Sequence, residues 1–222
     1  MTKELLAYLS EFVSPKRKRL FETIAQQRTR YATLVIEDLY QPHNISAVLR
    51  SCDCFGVQDV HVIENRNEFE ENPDIAVGSS KWLDIHRYAQ RPDNTIKTLR
   101  QLKSEGYRIV ATTPHTDDVL LNDFDVTKGK FALVFGNEKE GISDDVRAEA
   151  DEFVRIPMYG FTESFNISVS AALCLQHIAE SLRQSGVEWH LTPEEQDKLV
   201  LSWLRNNIKN VELLEERYFE NL

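Results

Sequence analysis

The chain has 222 residues, 41% of them hydrophobic and 28% charged, an ordinary globular composition with enough apolar side chains for a sizeable core. No apolar run reaches the length of about 18 residues that a membrane span needs, and the start "MTKELLAYLSEFVSPKRKRL" lacks the unbroken apolar segment of a secretory signal. A cytoplasmic protein with reduced cysteines is therefore expected. Net charge is −10, from 26 Lys and Arg against 36 Asp and Glu, which taken alone disfavours a nucleic-acid partner.

The charge is unevenly placed. Residues 1–31 hold seven basic groups (Lys3, Lys16, Arg17, Lys18, Arg19, Arg28 and Arg30) against three acidic ones, a local surplus on an acidic body. The first helix is read over Lys3–Val13. The second starts at "SPKRKRLFETIAQQ", with Ser14 as N-cap, Pro15 at the first helical position, and Leu20, Ile24 and Phe21 as its apolar side. From Thr33 strands and helices alternate. Strands are read in "TLVIED", "DVHVIE", "LDIHRY", "YRIVATT", "KFALVFG" and "EFVRIPM". Between them, "NISAVLRSCDCFG" is a helix with Asn44 as a candidate N-cap, closed near Gly56. Asn65–Ser80 is a mobile loop, and "DNTIKTLRQLKSEG" is a helix capped by Asp93. "SDDVRAEA" opens a helix at Ser143. "SFNISVSAALCLQHIAESLRQSG" is a long helix whose start Ser164 and Asn166 flank. Two helices, Pro193–Asn206 and Val211–Phe219, close the chain.

Alternating strands and helices imply a mostly parallel α/β sheet flanked by helices, with ligands outside the carboxyl ends of the strands. The organisation read from this is a basic helical extension over 1–31, an α/β domain over 32–186 and a helical extension over 187–222. That last tail is acidic and unsuited to a broad electrostatic contact with RNA.

Several familiar sites are excluded. No G-x-G-x-x-G follows the first strand, so a dinucleotide site is not expected. "FGNEKEGIS" places Gly136, Gly141 and Ser143 like a phosphate-binding loop, but Ile142 stands where the lysine belongs, and Glu138 and Glu140 would repel phosphates. Cys52, Cys54 and Cys174 have neither disulfide nor zinc spacing, and no metal is expected. Three polar stretches remain, each joining a strand to a helix: "HNISAVLR", "GNEKEGIS" and "IPMYGFTESFN". Singly, helix capping and turn chemistry explain much of each.

In this order and spacing the three stretches resemble the motifs of the SpoU (TrmH-like) family of RNA ribose 2′-O-methyltransferases. The matching residues are Asn44 and Arg50; Asn137, Glu138 and Gly141; and Pro157, Ser164 and Asn166. The likeness extends over about residues 15–206 and includes "GSSKW" from Gly78 to Trp82. It implies a carboxyl-terminal trefoil knot built from segments around 107–115, 131–143 and 153–175, which no periodicity could show. It implies S-adenosylmethionine bound in a bent form at Thr112, Gly136, Ile156 and Phe165, with Gly136 letting the cofactor approach the backbone. Catalysis would rest on Arg50, as phosphate clamp and stabiliser of the developing alkoxide or as base. Asn44 and Glu138 would hold it, and Ser164 and Asn166 would organise the pocket. Lys16, Arg17, Lys18, Arg19, Arg28 and Arg30 would contact tRNA, and a homodimer would complete the site. Within the family the likeness is greatest to enzymes acting on guanosine 18 of the tRNA D-loop. Ribosomal RNA, another tRNA position and a non-catalytic RNA-binding knot protein are the alternatives. The first is disfavoured because only about 32 residues precede the first strand.

Overall fold

The computed structural model describes residues 2–70, 72–89, 93–114 and 119–220. Its elements run α1 (Thr2–Ser10), α2 (Pro15–Ala25), β1 (Ala32–Glu37), α3 (Pro42–Phe55), β2 (Asp59–Ile63), α4 (Pro73–Ala76), β3 (Asp84–Tyr88) and α5 (Asn94–Ser104). There follow β4 (Arg108–Thr112), β5 (Val119–Leu120), β6 (Phe131–Phe135), α6 (Asp144–Glu149), β7 (Glu152–Arg155), α7 (Ile167–Gln184), α8 (Pro193–Asn207) and α9 (Val211–Glu220). The chain divides into two units. Arg30–Trp189 is one, and Met1–Thr29 with His190–Leu222 the other, so the two terminal segments belong together.

The larger unit is one sheet of seven strands in the order β3-β2-β1-β6-β4-β7-β5, every pair parallel. Its central strands β1, β2 and β6 are buried at every residue, which is why they read as apolar runs without alternation. One face, with Leu34, Ile36, Val60 and Leu133, packs with Val48 and Cys52 of α3 and Cys174 and Ile178 of α7. The other, with Val35, Ile63, Ala132 and Val134, packs with Leu99 and Leu102 of α5 and Val146 of α6. Burial raises the Cys174 thiol to about 12, so it stays protonated and inert.

All six expected strands form. The seventh, β5, has two residues and no periodicity to read. The helix "NISAVLR…" starts earlier than expected: Gln41 is its N-cap and Pro42 its first residue, so Asn44 lies inside the first turn and caps nothing. Asp93 sits at the N-cap of α5 without a capping hydrogen bond and pairs instead with Lys97 at 2.7 Å. The stretch expected as a loop over 65–80 carries α4 and a 3₁₀ turn at Ser79–Trp82. Its start is fixed by Asp38, whose Oδ1 accepts from the backbone N–H groups of Asn65 (2.7 Å), Arg66 (2.8 Å) and Asn67 (3.3 Å).

In the helical unit, Ser14 caps α2 as expected, accepting from the Arg17 N–H at 3.2 Å. Of the side expected to be apolar, Phe21 is buried with its ring 5.8 Å from Trp203 and Ile24 is half-buried, while Leu20 is exposed and Ala25 is buried in its place.

Candidate active site

A cleft of about 430 Å³ opens at the carboxyl ends of β4, β6 and β7. The four residues expected to meet a cofactor, Thr112, Gly136, Ile156 and Phe165, all line it. So do Asn44, Asn137, Glu138, Gly141, Ser164 and Asn166 from the three motifs. Phe135, Ile142, Val154 and Ile167 give it an apolar floor, and Arg147 and Arg155, which no sequence pattern singled out, add two cations.

The loop after β6 closes on itself. Asn137 and Gly141 exchange backbone hydrogen bonds at 2.8 and 2.9 Å, and Gly141 turns with φ +72°. A Cβ on Gly136 would fall 2.1–2.3 Å from the backbone of Gly141 and Ile142. The glycine at 136 is therefore required by the loop's own return, a reason separate from the expected approach of a ligand to its backbone. This is the physical basis of the likeness to a phosphate-binding loop: both need glycines to turn from strand to helix. Asn137 then anchors the loop sideways, its Nδ2 donating to the Asp38 carbonyl at 2.6 Å, and Ser143 starts α6 by accepting from the Val146 N–H at 3.2 Å.

The three motifs meet in one hydrogen-bonded set. Asn166 Nδ2 donates to Asn44 Oδ1 at 3.1 Å, and Asn44 Nδ2 donates to Glu138 Oε1 at 2.9 Å. Glu138 also accepts from the backbone N–H groups of Tyr40 (3.0 Å) and Gln41 (3.2 Å). Burial pushes the Glu138 carboxyl upward, but hydrogen bonds from Asn44 and the backbone outweigh it and hold the group below the ordinary carboxylate range. Asn166 caps α7, its Oδ1 accepting from the Ser168 N–H at 2.9 Å and the Ser168 hydroxyl at 2.6 Å. Asn44, Glu138 and Asn166 thus have their polar atoms engaged within the protein. Ser164 is exposed on the cleft with no hydrogen bond to a described residue. Arg50 is exposed on α3, does not line the cleft, and makes no hydrogen bond or ion pair with the described residues.

Two expected RNA contacts are placed elsewhere. Arg28 is 2% exposed, its guanidinium 5.5 Å from the Trp203 ring centroid, so it packs in the helical unit. Arg30 bridges Asp59 at 2.7 Å and Asp84 at 2.5 Å at the β2–β3 edge of the sheet. Neither presents a free cation to a polyanion. Lys16, Arg17, Lys18 and Arg19 are exposed on α2. The residues sequence reasoning missed are the anchors beneath the site. Glu37, 3% exposed, accepts from Thr95 Oγ1 (2.5 Å) and from Ser143 Oγ (2.8 Å) and N–H (3.2 Å). Asp38 holds both neighbouring loops. Their one sequence signal is a pair of carboxylates ending an otherwise apolar strand.

A parallel α/β sheet with a polar-rimmed cleft at its strand ends, built from three interlocked loops, defines a ligand-binding α/β enzyme fold. The chain belongs to the SpoU rRNA methylase family, whose model matches residues 31–176. It is 38% identical over 95% of its length to the tRNA (guanosine(18)-2′-O)-methyltransferase of Borreliella burgdorferi, of which 94% is covered. It is 32% identical over 85% of its length to the enzyme of that name from Thermus thermophilus, of which 96% is covered. Among solved structures, the Aquifex aeolicus TrmH/SpoU tRNA-modifying enzyme superposes with a TM-score of 0.76 at 27% identity, covering 87% of this chain and 97% of that one. Among the described residues no helix is long and apolar enough to cross a membrane, and no acidic, His or Cys cluster could hold a metal.

Proposed function

We propose that the chain transfers a methyl group from S-adenosylmethionine to a ribose 2′-hydroxyl of tRNA, at guanosine 18. The observation that carries this reading is the Asn166–Asn44–Glu138 set beneath the cleft, which unites all three motifs in a chain 38% identical to an enzyme of that name. The donor set of the cleft suits the cofactor. An apolar floor fits a purine, the Ser164 hydroxyl fits a ribose, and Arg147 or Arg155 fits a carboxylate. Bound there, S-adenosylmethionine supplies an activated methyl group. Thr112, Gly136, Ile156 and Phe165 are the residues we assign to holding it.

The protein's own part is positioning and charge. Glu138 accepts from Asn44 and two backbone N–H groups, so we assign it to orienting the first-motif helix. Arg50 clamps a substrate phosphate with its planar fork and stabilises the oxyanion that forms at O2′. Because Arg50 stands outside the cleft of its own chain, we assign it to the cleft of a second copy in a homodimer. The exposed apolar run Tyr159, Phe161, Phe165, Val169 and Leu173 supports such an interface. Threading of the chain as a trefoil knot, a cytoplasmic location, and tRNA contacts from Lys16, Arg17, Lys18 and Arg19 belong to the same reading. Arg50→Ala should abolish methylation, by more than about 100-fold, while cofactor affinity stays within error. Retained turnover would remove Arg50 from the mechanism.

A further inference from the structure

The side chains of Lys139 and Tyr40 have no part in the network of the three motifs, yet the structure pairs them at the rim of the cleft. Tyr40 is 63% exposed, although its backbone is fixed by the 3.0 Å hydrogen bond from its N–H to Glu138. The Lys139 ammonium lies 5.3 Å from the centroid of the Tyr40 ring, and the Lys139 N–H donates to Asn137 Oδ1 at 2.9 Å. Both residues therefore ride on backbone that the motif loops hold rigid. Gln41, Glu138 and Lys139 line the cleft, so the ring stands beside its mouth.

An exposed aromatic ring with a cation at one face matches the two features every nucleotide carries, a π-face and an anionic phosphate. A protein partner would ask for a wider apolar patch. Here Leu39 is buried, while Gln41 and His43 are exposed and polar. We propose that Tyr40 and Lys139 form a stacking platform for a nucleotide of the RNA substrate at the mouth of the cleft, Tyr40 stacking a base and Lys139 meeting the adjoining phosphate. This rests on the reading of the chain as an RNA methyltransferase. The two carboxylates that flank Lys139 and would repel a phosphate are both engaged, Glu140 with Arg66 at 3.1 Å and Glu138 with Asn44 and backbone N–H groups, which leaves the Lys139 ammonium to meet it.

The test is steady-state methylation of unmodified tRNA by the wild type and by Tyr40→Ala, Tyr40→Phe and Lys139→Ala, with S-adenosylmethionine affinity and oligomeric state measured on each. Tyr40→Ala should raise the KM for tRNA by about 5- to 150-fold, the range for loss of one base stack. Cofactor affinity should hold in that variant, and Tyr40→Phe should restore the KM. Lys139→Ala should reduce the slope of log affinity for tRNA against log salt by about one. An unchanged KM in Tyr40→Ala beside an active wild type overturns the platform and leaves the enzyme reading standing. A loss that tracks dimer dissociation or cofactor release overturns it as well, because it assigns Tyr40 to an interface or to the fold. An inactive wild type contradicts the enzyme reading, and the platform with it.

Discussion

At the scale of single residues the site is held by groups that serve geometry. Gly136 is the clearest case. Any side chain there meets backbone within 2.3 Å, and backbone cannot swing aside as a flexible side chain would. Gly136→Ala should therefore open the Asn137–Gly141 bridge and destabilise the protein by about 1–3 kcal/mol. Cofactor binding should weaken with it. Denaturant unfolding and a cofactor titration together check this, and a variant of wild-type stability and affinity would contradict it. The likeness of "FGNEKEGIS" to a phosphate-binding loop was legible as glycine spacing at a turn from strand to helix, but the loop's return onto itself was not. Nothing in the sequence says that residue 141 folds back onto residue 136. Arg28 and Arg30 teach the converse. Their charges read as part of a solvated basic face, and only the positions of Trp203, Asp59 and Asp84 reveal that both are engaged inside their units.

At the scale of elements, three loops that end three strands are joined through one carboxylate. Asn44 and two backbone N–H groups donate to Glu138, so Glu138→Gln turns an amide donor toward a donor and should cost about 1–3 kcal/mol. The pH dependence has a definite sign. The folded-state pKa is depressed, so the carboxylate's contribution is fully present above the unfolded value of about 4.3 and is lost as pH falls through the folded value. The stability gap between wild type and Glu138→Gln should shrink in that acid window. A gap that does not change with pH would show that Glu138 is not anionic in the fold. A second window arises at the β2–β3 edge, where burial and then the neighbouring His86 lower His61 to about 4. Neutral His61 favours the folded state, so its contribution declines as pH falls from its ordinary 6.5 toward about 4. Strands and helices were legible because buried parallel strands are apolar throughout and α2 and α6 carry their capping serines in sequence. The two-residue β5 and the early start of α3 at Pro42 were not, because neither leaves a periodic trace.

At the scale of the whole molecule the tension is between an acidic chain and a polyanionic substrate. The proposed answer is localisation: four exposed cations stand at the start of α2 in the helical unit, and the cleft belongs to the other unit. Neutralising Arg17 and Arg19 together should flatten the salt dependence of tRNA binding by about two in log–log slope, without altering cofactor affinity. An unmoved slope would place the phosphate contacts elsewhere. The sequence could not say that the two terminal extensions form one unit, since that depends on contacts between segments more than 150 residues apart, as in the packing of Phe21 on Trp203. Everything at this scale depends on the reaction itself. Purified protein, unmodified tRNA and S-adenosylmethionine labelled in its methyl group decide it directly, with the modified position mapped by its resistance to alkaline cleavage. Label is expected on the 2′-oxygen of guanosine 18; label on a base of the tRNA, or none at all, would overturn that assignment.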